Sequence, residues 1–127
     1  MYLRLDEYWS DVGADILVYV DHRDNSPADS FISRLSRQEK NKIDRYIKEF
    51  ASRGAIRNKE QFRCERSPIY AFKAHQARVL CFFLPNTTKP TLILTHGYSK
   101  QTNKISPTEL DKADRMYSDV IKAQPKS

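Results

Sequence analysis

The alternation of apolar and polar positions divides the chain in two near Gly54. Before it, "ADILVYVD" (Ala14 to Asp21) predicts a first strand. Ile16, Val18 and Val20 alternate there with Leu17 and Tyr19, so both faces of the strand are expected to be partly covered. "NSPADSF" then opens a helix, with Ser26 as N-cap, Pro27 at the first helical position and Asp29 three residues after the cap. Phe31, Ile32 and Leu35 form its short apolar stripe. Ser36 and Glu39 repeat the capping pattern and start a second helix. Its stripe of Ile43, Tyr46, Ile47, Phe50 and Ala51 follows the i, i+3, i+4, i+7, i+8 spacing, and Gly54 stands at its C-cap. The opposite face, with Lys40, Lys42, Asp44, Arg45, Lys48 and Glu49, reads as solvated.

After Gly54 the chain turns aromatic and β-branched. "QFRCER", "IYAFKA", "RVLCFFL" and "TLILTHGY" predict four strands, divided by Ser67-Pro68, "HQA" and "PNTTKP". Their closeness favours antiparallel hairpins. A third helix closes the chain. Ser106, Pro107 and Glu109 cap it, and Leu110, Ala113, Met116 or Tyr117, and Val120 or Ile121 supply its stripe. The predicted fold class is α+β: a small, twisted, mainly antiparallel sheet with two N-terminal helices and a C-terminal helix. The expectation is that the helices pack on one face of that sheet. Residues 1–127 read as one domain, with 1–12 as an N-terminal extension and 124–127 as a frayed tail.

Composition narrows the functional classes. No apolar run approaches the ~20 residues of a membrane helix, and the N-terminus carries acids where a signal peptide needs bases. A cytoplasmic protein without a membrane partner is expected. Lys and Arg number 22 against 16 Asp and Glu, a formal charge of +6, which favours a polyanion such as nucleic acid, an acidic protein or a membrane surface. Cys64 and Cys81 are far apart and form no C-x-x-C pair, so both are expected as buried free thiols in a reducing compartment, and ligand spacing gives no support to a metal site built with His75 and His96. No cofactor is expected.

The candidate chemistry gathers where the last strand ends. "LTHGYSKQTNKIS" (Leu94 to Ser106) holds His96, Tyr98, Lys100, Gln101, Thr102 and Lys104, and no carboxylate. Such a stretch suits one wall of a polyanion site. Leu92, Leu94, His96 and Tyr98 share one parity, so His96 and Tyr98 should point the same way. His96 reads either as an acid or base or as a hydrogen-bonded, partly buried histidine behind two core leucines. Arg78 starts a strand whose next residues are apolar, which puts its guanidinium at the strand's margin. It can hold two phosphate oxygens there, or it can simply keep a sheet edge soluble. If "AHQA" is a tight hairpin, Lys73 and His75 lie near Arg78 across the ladder.

The segment from Ser67 to Tyr117 resembles the RelE/HigB superfamily of toxins from bacterial toxin–antitoxin pairs, in particular its phage-derived HigB-like branch. The resemblance rests on Tyr70 through Lys73, on Arg78-Val79-Leu80, on His96-Gly97-Tyr98-x-Lys100, and on Pro107-x-Glu109-x-x-x-Ala113. Departures stand at Ala71, where glutamate is frequent, at Lys73, where arginine is common, at Tyr98, where phenylalanine is commoner, and at Gln101, which replaces a second lysine. The resemblance implies a RelE-like fold and a metal-independent endoribonuclease. Its substrate would be messenger RNA on the ribosome, and its restraint a cognate antitoxin protein that binds DNA. Arg78, Tyr98, Lys100 and Lys73 would be catalytic. Gln101, Thr102, Lys104, His75 and His96 would contact RNA. Cleavage by the 2′-hydroxyl needs a base, an acid and cations for the phosphorane, and a site without carboxylates is expected to suit the doubly charged phosphate. The alternative is a catalytically inert RNA- or protein-binding module on the same fold.

Overall fold

A computed structural model describes residues 2–101 and 106–124. The elements run β1 (Tyr2–Ser10), β2 (Asp15–Asp21), α1 (Pro27–Ser33), α2 (Arg37–Arg53), β3 (Phe62–Arg66), β4 (Ile69–Ala74), β5 (Ala77–Phe83), β6 (Thr91–Ser99) and α3 (Pro107–Ala123). The strands make one open six-stranded sheet in the order β1-β2-β6-β5-β4-β3. All neighbours are antiparallel except β2 and β6, which run parallel. The expected α+β class is what the chain adopts. The N-terminal residues expected as an extension form β1, a full edge strand paired along β2.

The three helix starts form as their caps dictate. Ser26, Ser36 and Ser106 each accept a hydrogen bond from the backbone N–H three residues on. Helix α2 ends at Gly54, whose φ of 78° is the left-handed conformation that glycine adopts without a Cβ penalty. The stripe of α2 is buried as its spacing requires, and that of α3 resolves to Leu110, Ala113, Met116 and Val120.

The helices do not share one face of the sheet. The α1–α2 pair buries Ile32, Ile43, Ile47 and Phe50 against Ile16, Val18, Phe72, Val79, Leu92 and Leu94. On the other face α3 covers Tyr19, Ile69, Ala71, Leu80, Phe82 and Ile93. The physical reason lies in the central strands. "RVLCFFL" and "TLILT" are apolar at consecutive positions, so each face carries side chains that need cover. Burial of a large aliphatic side chain is worth about 1.5–3 kcal/mol, which a helix on one side only would leave unclaimed on the other.

β6 contains one residue more than β5 opposite it. Cys81 pairs with Leu94 but Leu80 pairs with His96, leaving Thr95 in a bulge. The bulge reverses the parity. Leu92 and Leu94 face the helix pair, whereas His96 and Tyr98 face α3. The expectation that all four share a face is corrected by that single extra residue; His96 and Tyr98 do point the same way. Gly97 then lies against α1. A Cβ there would come within 2.0 Å of the Phe31 ring.

That contact gives the first prediction. Gly97→Ala should lower unfolding free energy by about 1–3 kcal/mol, the usual cost of overpacking a filled core. Urea unfolding checks it, and an unchanged midpoint would show that the Phe31 ring moves aside without cost.

Candidate nucleic-acid interface

The residues singled out from the sequence meet at the end of the sheet where the β4–β5 hairpin turns. Ala74 pairs with Ala77, so the turn is His75-Gln76, with His75 at φ 54°. One rung away Lys73 lies directly opposite Arg78, and Arg78 lies directly opposite Tyr98. Paired residues share a face, so Lys73, Arg78 and Tyr98 form a row across three strands on the α3 face. Arg78 is half-buried. Its Nη1 donates to the His75 carbonyl at 2.7 Å and to the Ala77 carbonyl at 3.0 Å. These bonds hold the guanidinium against the turn and leave its other nitrogens without a carboxylate partner among the described residues. The Lys100 backbone N–H donates to the Gln76 carbonyl at 2.7 Å, which draws the end of β6 to the same turn.

The electrostatics of the row are distinctive. Burial lowers the Lys73 ammonium below the ordinary lysine range, and the Arg63, Arg78 and Lys100 charges push the same way against a smaller opposing pull from Glu65. A lysine lowered in this way gives up its proton more readily than an ordinary lysine. Burial raises the Tyr98 phenol, with the Glu65 charge next in effect. Tyr98 therefore keeps its proton at neutral pH and can donate a hydrogen bond.

Glu65 was missed in the sequence and overturns the expectation of a site without carboxylates. The Leu94–Ser106 stretch is acid-free, but Glu65 reaches the same surface from β3. Its side chain is only 10% exposed, and its Oε2 stands 3.7 Å from Arg63 Nε. Pairing of β3 with β4 could have found it: the short break at Ser67-Pro68 brings "FRCER" beside "IYAFKA".

His96 departs from its expected role as an RNA contact. It is buried at 2% exposure. Its Nδ1 lies 3.3 Å from Thr95 Oγ1, and its Nε2 lies 2.9 Å from Glu109 Oε1 in the first turn of α3. The ring thus ties the sheet to the start of α3 rather than facing a ligand. Burial holds its pKa below the ordinary histidine value, against a smaller opposing effect of Glu109. His75 is an exposed turn residue, and Gln101 is exposed just past β6. Thr102 and Lys104 lie outside the described residues.

Other features hold none of this row. A cleft of about 660 Å³ opens between β2 and α3, lined by Tyr19, Asp21, Lys112, Asp114 and Asp119 among others, and Tyr19 donates to Asp119 within it. Cys81 is buried and Cys64 exposed, both as free thiols. Among the described residues no group of three or more His, Cys, Asp or Glu could hold a metal ion. No helix among them is long and apolar enough to cross a membrane.

An open α+β sheet with a helix on one face, a helix pair on the other, and a cationic row at the hairpin end defines a small basic domain. The chain belongs to the phage-derived protein Gp49-like family (DUF891), whose model matches residues 30–118. That family stands in the RelE/HigB-like toxin–antitoxin context. The match begins within α1, so β1 and β2 lie outside it. No curated protein matches this chain.

The burial of neutral His96 carries a pH consequence. The unfolded histidine takes up a proton near pH 6.5, whereas the folded one resists it, so the unfolded state binds more protons as pH falls. Stability should therefore decline from about pH 7 toward pH 5. His96→Gln should flatten that part of the profile while lowering stability at pH 7. Chemical denaturation at several pH values measures both, and a wild-type profile that rises on acidification would contradict the assignment.

Proposed function

We propose that this protein is the toxin of a toxin–antitoxin pair and acts as a metal-independent endoribonuclease on messenger RNA, through attack by the 2′-hydroxyl. The observation that carries the reading is the row Lys73–Arg78–Tyr98 beside Glu65, in a member of a toxin–antitoxin family. In the proposed step the 2′-oxygen attacks the adjacent phosphorus and its proton passes to a base. The bond from phosphorus to the 5′-oxygen breaks, and that oxygen takes a proton from an acid. The products are a 2′,3′-cyclic phosphate and a 5′-hydroxyl.

The roles follow from chemistry. Arg78, fixed by two carbonyls, is placed to receive the non-bridging oxygens with its free nitrogens. Glu65 is the group near the row able to accept the 2′ proton. Tyr98 keeps its own proton and is unsuited to that task, but it can stack on a base or donate to the substrate. Lys73, lowered by burial and then by its cationic neighbours, is the better proton donor to the leaving oxygen. Lys100 adds charge stabilisation beside the turn. Gln101 is placed to bond sugar or base edges. Messenger RNA on the ribosome is the proposed substrate, and the proposed partner is a cognate antitoxin presenting an acidic segment to a chain of charge +6.

The departure at Ala71 bears on the alternative of an inert binding module. Ala71 is fully buried beneath α3, between Arg63 on β3 and Leu80 on β5, so that difference falls in the packing floor rather than among the exposed cations.

Induced expression in bacteria should arrest growth and cut messages within coding regions. Arg78→Ala should reduce cleavage by at least about 10²-fold, as loss of a donor to a developing oxyanion does, with its denaturation midpoint unchanged. Normal growth and intact transcripts at good yield of wild type would refute the nuclease reading and favour the inert module. Co-expression of the protein encoded next to this chain should restore growth if the toxin–antitoxin assignment holds.

A further inference from the structure

The cationic surface does not stop at the three-strand row. Arg63 on the edge strand β3 pairs with Ala71, whose side chain lies under α3, so Arg63 stands on the α3 face as well. Lys73 follows Ala71 by two residues on that face, and its backbone N–H donates to the Gln61 carbonyl at 2.8 Å, which keeps β3 and β4 in register to the end. The four neighbouring strands β3, β4, β5 and β6 thus bring Arg63, Lys73, Arg78 and Lys100 to one end of the sheet. Neighbouring strands are about 4.8 Å apart, and Arg63 stands two residues, about 6.6 Å, along the ladder from Lys73, so the line crosses the four strands obliquely.

Two contrasts separate Arg63 from an ordinary surface arginine. Arg66, at the other end of the same strand, is neutralised: its Nη2 is 2.7 Å from Asp111 and 2.6 Å from Asp114 on α3. Among the described residues Arg63 meets one carboxylate, Glu65, at 3.7 Å, beyond a direct hydrogen bond, and its side chain is 45% exposed. Its charge is also the first among those acting on Lys73. A half-exposed guanidinium with spare donors, beside an under-neutralised cationic row, is equipped for a phosphate.

Resting on the nuclease reading above, we infer that Arg63 binds a second RNA phosphate, next along the strand from the one held by Arg78, so that single-stranded RNA crosses β6 to β3 rather than running along them. A groove of this kind tracks the backbone and leaves base identity to other contacts. Arg63 is therefore a binding residue, separate from the bond-breaking step.

The test uses the full chain and a short single-stranded RNA, once with 2′-O-methyl groups to measure binding and once unmodified to measure cleavage, free and on programmed ribosomes. Arg63→Ala and Arg63→Gln should each weaken binding roughly tenfold, the worth of a charge-assisted hydrogen bond. Each should make the slope of log affinity against log salt shallower by about 0.7, the value of one contact to a single strand. Arg63→Lys, which keeps the charge beside Lys73 and Glu65, should keep both the salt slope and cleavage at saturating RNA. Arg37→Ala, an exposed cation at the start of α2, should change none of these. If wild type binds and cuts but both Arg63 variants match it in affinity and slope, the second phosphate is refuted and the nuclease reading stands. If the variants bind normally and lose rate at saturation, Arg63 acts through Glu65 and the inference is overturned. If wild type neither binds nor cuts, the nuclease reading fails and the inference fails with it.

Discussion

The extra residue at Thr95 decides where everything else in the site can stand. Up to Leu94, β6 follows simple alternation, with Leu92 and Leu94 under the helix pair. Thr95 adds a residue that β5 does not match, and its hydroxyl donates to the Leu80 carbonyl at 3.1 Å within the bulge. From there the strand presents the opposite set of side chains. His96 turns to meet Glu109, Gly97 meets Phe31, and Tyr98 joins Arg78 and Lys73. Without the bulge, His96 and Tyr98 would lie under α1 and α2, and the glycine needed against Phe31 would face the wrong helix. Bulges commonly re-aim side chains near functional sites, and this one re-aims three.

The same geometry explains which parts of the molecule were legible in the amino-acid sequence. Helices α1, α2 and α3 were readable to their capping serines because capping chemistry is local: a hydroxyl, an N–H three residues on, and a proline or acid between. The hairpin that sets Lys73 opposite Arg78 was equally local, needing only the two-residue turn at His75-Gln76. Sheet order was not local. The parallel pairing of β2 with β6 and the placing of α3 on the far face depend on which apolar strand remains uncovered once the helix pair has packed.

The misreadings at the site have the same origin. Glu65 belongs to an edge strand three places from β6, and only the β3–β4 pairing across the Ser67-Pro68 break, followed on to β5 and β6, brings it to the surface that holds Tyr98. His96 carried two open readings, and its burial and its contact with Glu109 fit the hydrogen-bonded core histidine, which joins strand to helix. The acid-free character of Leu94 to Ser106 is a true property of that segment, yet it does not extend to the surface the segment helps to form.

The placement of charge at the hairpin end runs against local stability. Like charges directly opposite in a ladder are destabilising, by a few tenths to about 1 kcal/mol, and Lys73 opposite Arg78 is such a pair. Elsewhere the chain avoids this: Arg66 has two aspartates, Arg4 is met by Asp6 and Asp24, and Lys89 by Asp15. At the hairpin end burial first, and the Arg63 and Arg78 charges after it, lower the Lys73 ammonium, and Arg78 is held by neutral carbonyls. Among the paired positions of the sheet, Lys73 opposite Arg78 is the one that sets two cations face to face. Natural folds break local rules of this kind at functional sites. On the nuclease reading, an RNA phosphate backbone lying across the strands is the anion that meets several of these cations at once.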